Sequence, residues 1–175
     1  IRDRLNRATQ GLYPPGSTFK ILTTIAYLEE KGDVAFNFEY DCKGSITKDN
    51  HQIKCNNGKA HGVVNLESAF AKSCNTYFVE LTDQVPIAKL KQVADKLLFN
   101  QELPVKVEYK KSQFSLNANS SSFDKLITYI GQGETLVSPL HLAMIGSILY
   151  NDGVLMVPYM IDYSRYKGGN SFKKL

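Results

Sequence analysis

At residues 13–20 the chain reads Tyr13-Pro14-Pro15-Gly16-Ser17-Thr18-Phe19-Lys20, a turn rich in proline and glycine that runs directly into a helical pattern. From Ser17 to Lys31 apolar residues recur at helical spacing, and Gly32-Asp33 supplies a stop signal. The apolar positions are Phe19, Ile21, Leu22, Ile25, Ala26 and Leu28. This pattern predicts an amphipathic helix over 17–31, the strongest helix in the first half of the chain.

The same stretch places a serine hydroxyl and a lysine amine three residues apart, so Ser17 and Lys20 project from one face of the first turn. A serine hydroxyl is a poor nucleophile until a base removes its proton, and a lysine whose pKa is lowered by burial can be that base. The helix N-terminus favours anionic character at Ser17 and disfavours the ammonium form of Lys20. The pair is therefore a candidate nucleophile and base.

The spacing alone does not select Ser17, because four other serine-lysine pairs share it. They are Ser45/Lys48, Ser122/Lys125, Ser164/Lys167 and Ser171/Lys174. Only Ser17 follows a Pro-Gly turn and opens a long amphipathic helix that would hold it rigidly. The alternative for Ser17 is an ordinary N-cap serine followed by an exposed lysine.

A second candidate cluster is Ser73-Cys74-Asn75, in a bend between two predicted helices. A serine hydroxyl can relay a proton, and an asparagine can donate to a carbonyl while it accepts from an ammonium. Ser115-Leu116-Asn117 has the same spacing but precedes a loop rich in serine and asparagine. The alternative is that Ser73 and Asn75 only cap the ends of the two helices.

The remaining patterns predict a mostly helical chain with short strands. The first of these elements are loops and short strands over 36–59, a helix Leu66–Lys72 capped by Asn65, and a helical run Asn75–Leu81. The later elements are a helix opened by Pro86 and carrying Ile87 to Leu97, a helix that starts at Ser138-Pro139 and ends at Asn151-Asp152-Gly153, and a strand Val154–Ile161.

The chain has three cysteines, an odd number, so at least one cannot join an internal pair. Cys42 and Cys55 flank a polar stretch that can fold back as a hairpin, which makes a disulfide between them one interpretation. Zinc is a rival because His51 and His61 lie nearby, but no CxxC motif occurs. The default is ordinary thiols, and we expect no metal.

Composition and motifs exclude several function classes. The net charge of +4 is spread along the chain, so nucleic-acid binding gains no support. Gly131-Gln132-Gly133-Glu134 lacks the third glycine of a dinucleotide fingerprint, and we expect no cofactor. His141 is expected to be a packed or surface residue, because no Gly-x-Ser-x-Gly elbow accompanies it.

No apolar run approaches the roughly 20 residues that span a bilayer, and a membrane anchor is expected outside this segment.

An ordered series of motifs points to one family. Asn6-Arg7-Ala8-Thr9-Gln10-Gly11 precedes the 13–20 stretch, and then come Cys42-Lys43-Gly44, Ile53-Lys54-Cys55, His61-Gly62, Ser73-Cys74-Asn75-Thr76-Tyr77-Phe78, Gly131-Gln132-Gly133 and Ser138-Pro139-Leu140. Over residues 6–160 the series resembles the transpeptidase domain of class B penicillin-binding proteins. Ser-x-x-Lys, a Ser-x-Asn-type motif and Lys-Thr-Gly are the known signature of penicillin-binding proteins and class A β-lactamases.

The resemblance implies a D,D-transpeptidase that joins peptidoglycan stem peptides. Ser17 would attack the D-Ala-D-Ala carbonyl, with Lys20 as its base and Ser73 as the proton relay. Asn75 would contact Lys20 and the substrate amide, and Gln132 would be a further substrate contact. β-Lactams would acylate the same serine. The implied partners are stem peptides, β-lactams and cell-wall synthesis proteins such as a glycan polymerase, at the extracytoplasmic face of the bacterial cytoplasmic membrane.

The implied fold class is α+β, as part of the penicillin-binding/β-lactamase-like transpeptidase fold. We expect residues 1–175 to be one partial transpeptidase domain, with its central sheet largely missing and no second domain. The family's third motif, Lys-Thr-Gly or a serine variant, does not occur before Leu175. That strand binds the substrate carboxylate and supplies half of the oxyanion hole, so the chain alone is expected to be a poor catalyst.

Two rival functions stay open at this point. A D,D-carboxypeptidase or a serine β-lactamase has the same scaffold and passes the acyl group to water. A β-lactam sensor or wall-binding module would share the fold without catalysis. The Pro-Gly turn before Ser17 and the runs Ser73–Phe78 and Gly131–Gly133 favour the transpeptidase.

Overall fold

The computed structural model describes residues 5–158 and the strand 172–174. Its described residues divide into two compact units. The first comprises 14–94 and 114–135, and the second comprises 5–13, 95–113, 136–158 and 172–174.

The first unit contains five helices and four strands among its described residues. Its helices are α1 (Lys20–Lys31), α2 (Leu66–Ala71), α3 (Asn75–Glu80), α4 (Ile87–Lys96), whose last two residues belong to the second unit, and α5 (Ser122–Thr128), with 3₁₀ turns at Gly16–Phe19, Gly32–Asn37, Asn56–Gly58 and Leu81–Asp83. Its strands are β1 (Tyr40–Cys42), β2 (Ser45–Lys48), β3 (His51–Lys54) and β4 (Gly62–Val64). They pair antiparallel as β1 with β4 and β2 with β3.

Helix α1 is the centre of the first unit and follows the predicted amphipathic pattern. Its inner face buries Leu22, Ala26 and Tyr27, and Phe19 just before it stacks on Phe114 with 6.2 Å between ring centroids. The α-helix begins at Lys20 and not at the predicted Ser17, because the chain first makes a 3₁₀ turn. Such tight turns are common at helix ends.

The hairpin predicted between the first two cysteines is confirmed. β2 and β3 pair in register from Ser45 opposite Lys54 to Lys48 opposite His51. The two residues that connect them, Asp49 and Asn50, have φ values of 49° and 63°. Asp and Asn tolerate this left-handed conformation, which a tight two-residue hairpin turn requires.

The predicted cap of α2 is also confirmed. The Asn65 side chain accepts from the Ser68 backbone N–H at 3.0 Å, and the Ser68 hydroxyl accepts from the Asn65 N–H at 3.0 Å. This reciprocal pair satisfies two backbone donors at the helix start. The helix ends at Ala71, one residue before its predicted end, and α3 then buries Tyr77, Phe78 and Val79 completely.

The second unit contains α6 (Pro139–Tyr150), β5 (Val154–Met156) and β6 (Phe172–Lys174), and β5 pairs antiparallel with β6. Ser138 caps α6 as predicted, since its hydroxyl accepts from the His141 N–H at 3.2 Å. The predicted strand from Val154 is confirmed for 154–156, and its end at 159–161 lies outside the described residues. His141 is packed, and its Nε2 donates to the Leu97 carbonyl at 2.7 Å.

Across the described residues, the strands form only two-stranded ladders, and helices supply most of the regular structure. The predicted α+β class, helical with short strands, is therefore confirmed. No helix in the described part of the chain is long and apolar enough to cross a membrane.

Candidate active site

The structure brings four of the five predicted site residues together, at the start of α1 and at the bend between α2 and α3. Ser17 is exposed on the 3₁₀ turn, whereas Lys20 is only 1% exposed. Lys20 Nζ lies 3.4 Å from Ser17 Oγ, and Ser73 Oγ lies 2.8 Å from Ser17 Oγ and 2.9 Å from Lys20 Nζ. The alternative of a capping serine with an exposed lysine is therefore wrong.

The partners of Lys20 suit a neutral amine. Nζ donates to Asn75 Oδ1 at 2.7 Å and to the Ser73 backbone carbonyl at 2.8 Å. Both oxygens can only accept, and a neutral lysine has two protons and one lone pair. When the two protons serve the two carbonyls, the single lone pair is left to accept one hydroxyl proton, from Ser73 or from Ser17. That is the protonation state in which Lys20 can take up a proton.

Burial also favours that state. Desolvation lowers the pKa of Lys20 to about 8, although the nearby Cys74 and Cys55 act in the opposite direction. The ring centroid of Phe78 lies 5.5 Å from Nζ, so an aromatic face covers the amine on one side. A lysine with this pKa is close to the value that suits a general base at neutral pH.

Ser73 is held by the end of α2 in a conformation that serine rarely adopts. Its N–H donates to the Phe70 carbonyl at 3.0 Å, and the Cys74 N–H donates to the Ala69 carbonyl at 2.8 Å. These are the two bonds of a Schellman motif, with Ser73 at the left-handed position that glycine usually occupies. Its φ is 53°. The bend therefore carries a hydroxyl where the backbone alone favours glycine.

Asn75 is fixed from its other end by a residue that the sequence did not single out for this role. Its Nδ2 donates to the Lys54 backbone carbonyl at 2.9 Å, at the end of β3. With Oδ1 on Lys20, the carboxamide is bound at both its donor and its acceptor side. A backbone carbonyl carries no side-chain signal, so only the three-dimensional contact could identify Lys54.

The start of α1 is braced by Gly131. The Gly16 N–H donates to the Gly131 carbonyl at 2.7 Å, and a Cβ built on Gly131 would stand 1.8 Å from the Gly16 oxygen. Gly131 also has φ +76°, which glycine adopts without strain. Gln132, beside it, is exposed, and in the described part of the chain no hydrogen bond joins its side chain to the other four residues. Its role as a substrate contact stays a prediction.

The competing pair Ser45/Lys48 and the competing run Ser115-Leu116-Asn117 have other surroundings. Lys48 Nζ lies 2.6 Å from Asp83 Oδ2 and 3.6 Å from Glu80 Oε2, so it is an ion-paired cation. Asn117 Nδ2 donates to the Ser115 carbonyl at 3.1 Å within the predicted loop. The pairs Ser164/Lys167 and Ser171/Lys174 lie outside the residues whose side chains are described.

A cluster of thiols lies directly behind the bend. Cys42 and Cys55 are brought together as the hairpin predicts, with 3.7 Å between their sulfurs, and both are free thiols. Cys74 Sγ lies 3.9 Å from Cys55 Sγ, and His61 Nδ1 lies 3.4 Å from Cys42 Sγ. His51, the other histidine considered, instead packs on Phe123 with 4.8 Å between ring centroids.

Comparison with known proteins identifies the family. The chain matches the family model of the penicillin binding protein transpeptidase domain over residues 2–174. It is 32% identical over 167 residues to the peptidoglycan D,D-transpeptidase MrdA of Acinetobacter baumannii, covering 89% of this chain and 25% of that protein. It is 31% identical over 162 residues to the peptidoglycan D,D-transpeptidase PbpA of Mycolicibacterium smegmatis, covering 90% and 33%. The chain thus spans a quarter to a third of these curated relatives.

Solved structures agree with the family model. The ceftriaxone acyl-enzyme complex of penicillin-binding protein A from Mycobacterium tuberculosis has a TM-score of 0.77 and 31% identity, covering 88% of this chain and 35% of that one. The complex of PBP2 with MreC from Helicobacter pylori has a TM-score of 0.80 and 26% identity, covering 88% and 30%. Fold, motif order and family match agree over nearly the whole chain: it belongs to the transpeptidase domain family of the class B penicillin-binding proteins.

Proposed function

We propose that this chain carries the acylation machinery of a peptidoglycan D,D-transpeptidase, with Ser17 as the nucleophile. The observation that carries the proposal is the placement of an exposed serine hydroxyl beside a buried amine whose pKa is about 8, with Ser73 between them. The curated relatives are named peptidoglycan D,D-transpeptidases, which supports the same reaction for this chain. Residues 1–175 act in this proposal as part of one transpeptidase domain.

In the first half-reaction Ser17 Oγ attacks the carbonyl of the penultimate D-alanine and forms a C–O bond. Its proton passes to Lys20, directly over 3.4 Å or through Ser73 by the two shorter contacts. The C–N bond to the terminal D-alanine then breaks, and the leaving nitrogen takes a proton from Lys20 through Ser73. The products are an ester on Ser17 and free D-alanine.

In the second half-reaction an amine of a neighbouring stem peptide attacks that ester. Lys20 takes the proton that the amine loses, the new amide bond forms, and the C–O bond to Ser17 breaks. Ser17 recovers its proton, so the site ends as it began. A β-lactam follows the first half only: its ring amide bond opens, and its nitrogen stays attached to the acyl group on Ser17.

Asn75 orients both the base and the substrate in this mechanism. One proton of Nδ2 serves the Lys54 carbonyl, and the second is suited to a carbonyl of the substrate backbone. Gln132, on the exposed loop after the Gly16–Gly131 contact, is the proposed further substrate contact. In this scheme substrate and base share one carboxamide, so a bound stem peptide helps to hold Lys20 in place.

The rival functions have less support. Carboxypeptidases and β-lactamases transfer the acyl group to water, whereas the curated relatives are named transpeptidases. The solved relative, penicillin-binding protein A of M. tuberculosis, forms an acyl-enzyme with ceftriaxone, which supports a reactive serine here over a wall-binding module that lacks one. We further propose that the protein works at the extracytoplasmic face of the cytoplasmic membrane, with an anchor outside residues 1–175 and with cell-wall proteins such as a glycan polymerase. The solved complex of the H. pylori relative with MreC supports partners of that class.

Labelling with a fluorescent penicillin, followed by peptide mapping of the full-length protein, tests the proposal. We expect one labelled peptide, which contains Ser17, and complete loss of label in Ser17→Ala. Ser45→Ala and Ser122→Ala are matched controls, because each removes a serine with the same lysine spacing, and both should label normally. Label on another serine overturns the assignment of Ser17.

The fate of the label separates transpeptidases from enzymes that use water. We expect the acyl-enzyme to persist for many minutes after excess penicillin is removed. With a stem-peptide donor and an added amine acceptor, the released product should be the cross-linked amide. Rapid loss of label with hydrolysed product as the main species contradicts the transpeptidase assignment and favours a β-lactamase or a carboxypeptidase.

A further inference from the structure

The hairpin of β2 and β3 contacts the proposed active site through the last residue of β3. The Lys54 carbonyl accepts from Asn75 Nδ2 at 2.9 Å, and Asn75 Oδ1 accepts from Lys20 Nζ at 2.7 Å. A backbone carbonyl lies in the rigid plane of its peptide, so its position is set by the position of the strand. The placement of Asn75 therefore depends on how the whole hairpin is held.

This hairpin has little core of its own. In β3 only Ile53 is buried, and Gln52 and Lys54 on either side of it are exposed. A two-stranded hairpin is at best marginally stable in water unless it packs against another element. Here β3 packs on α3. The contacts between the hairpin and α3 therefore determine where the strand lies.

The hairpin and α3 are joined at both ends. Asn75, the first residue of α3, binds the carbonyl of Lys54, the last residue of β3. Glu80, the last residue of α3, pairs with Lys48, which lies opposite the first residue of β3. Between these ends β3 covers about 10 Å and α3 covers about 8 Å. Because the two lengths match, one contact at each end fixes the strand along the helix.

Lys48 supplies the contact at the tip of the hairpin. Its Nζ lies 2.6 Å from Asp83 Oδ2 and 3.6 Å from Glu80 Oε2. The Lys48 side chain is only 14% exposed, so salt screens this interaction less than it screens a fully exposed pair. His51, the cross-strand partner of Lys48, packs on Phe123 at the start of α5. The tip is therefore held from two sides, by charge at one and by aromatic contact at the other.

We propose that Lys48 is a positioning residue of the proposed active site. Its ion pair with Asp83 and Glu80 fixes the tip of the hairpin to the end of α3, and this holds the Lys54 carbonyl where it binds Asn75. Lys48 belongs to one of the serine-lysine pairs that compete with Ser17 and Lys20 by spacing, and its role differs from that of Lys20. Because Lys48 acts through Asn75, this role rests on the proposed function.

An ordinary surface ion pair would have a different effect. Exposed pairs contribute little to stability, and the loss of one does not alter a distant reaction. A positioned group that moves by about 1 Å, in contrast, can lower a rate by up to about 100-fold. The rate of acylation is therefore the measurement that distinguishes a positioning residue from an ordinary ion pair.

Lys48→Met in the full-length protein tests the role, because methionine keeps much of the side-chain length but not the charge. We expect the second-order rate constant for acylation of Ser17 by a fluorescent penicillin to fall about tenfold. Lys48→Arg keeps the charge and should restore most of the rate. Lys89→Met is the matched control, because Lys89 forms a partly exposed ion pair with Glu29 at 3.7 Å. It should acylate at the wild-type rate.

Three further readouts separate positioning from a general loss of structure. The decrease should persist at pH 10, well above the Lys20 pKa of about 8, because geometry and not protonation is altered. In an Asn75→Ala background Lys48→Met should cause no further decrease, because the group that it positions is gone. Amide hydrogen exchange over residues 45–54 should become faster in Lys48→Met, because the tip of the hairpin is released.

Each of these measurements can overturn the role. A wild-type rate for Lys48→Met shows that the base of the hairpin alone fixes Lys54. A decrease that disappears at pH 10 assigns the effect to charge near Lys20. An equal decrease in the Asn75→Ala background shows that Lys48 acts by another route. Unchanged hydrogen exchange shows that the ion pair does not hold the hairpin.

Asp83→Asn keeps the test open if Lys48→Met does not fold. It removes the nearer carboxylate at an exposed position, and we expect acylation to slow about threefold. An unchanged rate in this variant also overturns the role. The proposed function fails separately: in that case wild-type protein takes no label on Ser17. Normal labelling of Ser17 in wild type and in both variants refutes the positioning role alone.

Discussion

Ser73 holds its hydroxyl oxygen 2.8 Å from that of Ser17 while its own backbone has φ 53°. A glycine at this position would form the same helix-ending bonds without the steric cost of a Cβ. A serine at this position lowers the stability of the protein, and its presence there indicates that the hydroxyl has a function. Backbone strain of this kind is found at functional sites.

Ser73→Gly should therefore change stability and activity in opposite directions. We expect the free energy of unfolding to rise by up to about 1 kcal/mol, because the left-handed strain is removed. Penicillin acylation of Ser17 should fall roughly 100-fold, because the proton relay is lost. Ser73→Ala is the control: it should lose activity without becoming more stable. Denaturant unfolding and stopped-flow labelling measure the two effects, and a stable, fully active glycine variant contradicts the relay.

The acylation rate should rise with pH and reach half its maximum near pH 8. Burial lowers the pKa of Lys20 to about 8, and only the neutral amine can accept the proton of Ser17. Below that pH the ammonium form predominates, so the rate should fall about tenfold per pH unit. The second-order rate constant for penicillin acylation, measured from pH 6 to pH 10, checks this. A profile that is flat over that range would show that Lys20 is not the base.

Asn75→Asp should move that pH profile upward. The substitution places a carboxylate where Oδ1 now lies 2.7 Å from Lys20 Nζ. An opposite charge at this distance stabilises the ammonium form and raises the pKa of the lysine by about one unit or more. We expect slower acylation at pH 7 with partial recovery at pH 9. Asn117→Asp, in the loop with the same Ser-x-Asn spacing, is the control and should leave the midpoint unchanged.

Gly131→Ala should destabilise the protein severely. Its Cβ would stand 1.8 Å from the Gly16 oxygen, and its φ of +76° disfavours any side chain. We expect a loss of about 3 kcal/mol or more, or failure to fold, because the start of α1 must shift. Gly146→Ala is the matched control: it lies in α6 with nothing within 4 Å of its Cβ, and alanine there should stabilise by up to about 1 kcal/mol. Thermal unfolding of both variants measures the two effects. Similar unfolding temperatures for the two variants would contradict the proposed stabilising role of the Gly16–Gly131 contact.

Local signals predicted most of the fold. The Asn65 cap, the Ser138-Pro139 start and the hairpin between Cys42 and Cys55 all depend on residues within a few positions of one another. Backbone hydrogen bonding and capping act over that range. The 3₁₀ start of α1 was missed because the brace of Gly16 comes from Gly131, far along the chain.

The site was only partly predictable, because its chemistry depends on contacts between distant segments. The Ser17–Lys20 spacing is local, but the burial of Lys20 and its bonds to Ser73 and Asn75 are not. The convergence of Cys74 with the hairpin cysteines also requires the folded chain. The sequence did not distinguish His61 from His51, and only the packing of β3 directs His51 to Phe123 instead.

The contact between Gly16 and Gly131 has a consequence for synthesis of the protein. Ser17 leaves the ribosome before the residues that complete its site: the oxygens that accept from Lys20 follow more than 50 residues later, and Gly131, which holds Gly16, follows more than 100 residues later. Contacts of such long sequence separation form late, after the intervening loop has been closed. A nascent chain would therefore contain the serine for some time before it could react with a β-lactam. Acquisition of penicillin reactivity should mark the completion of folding.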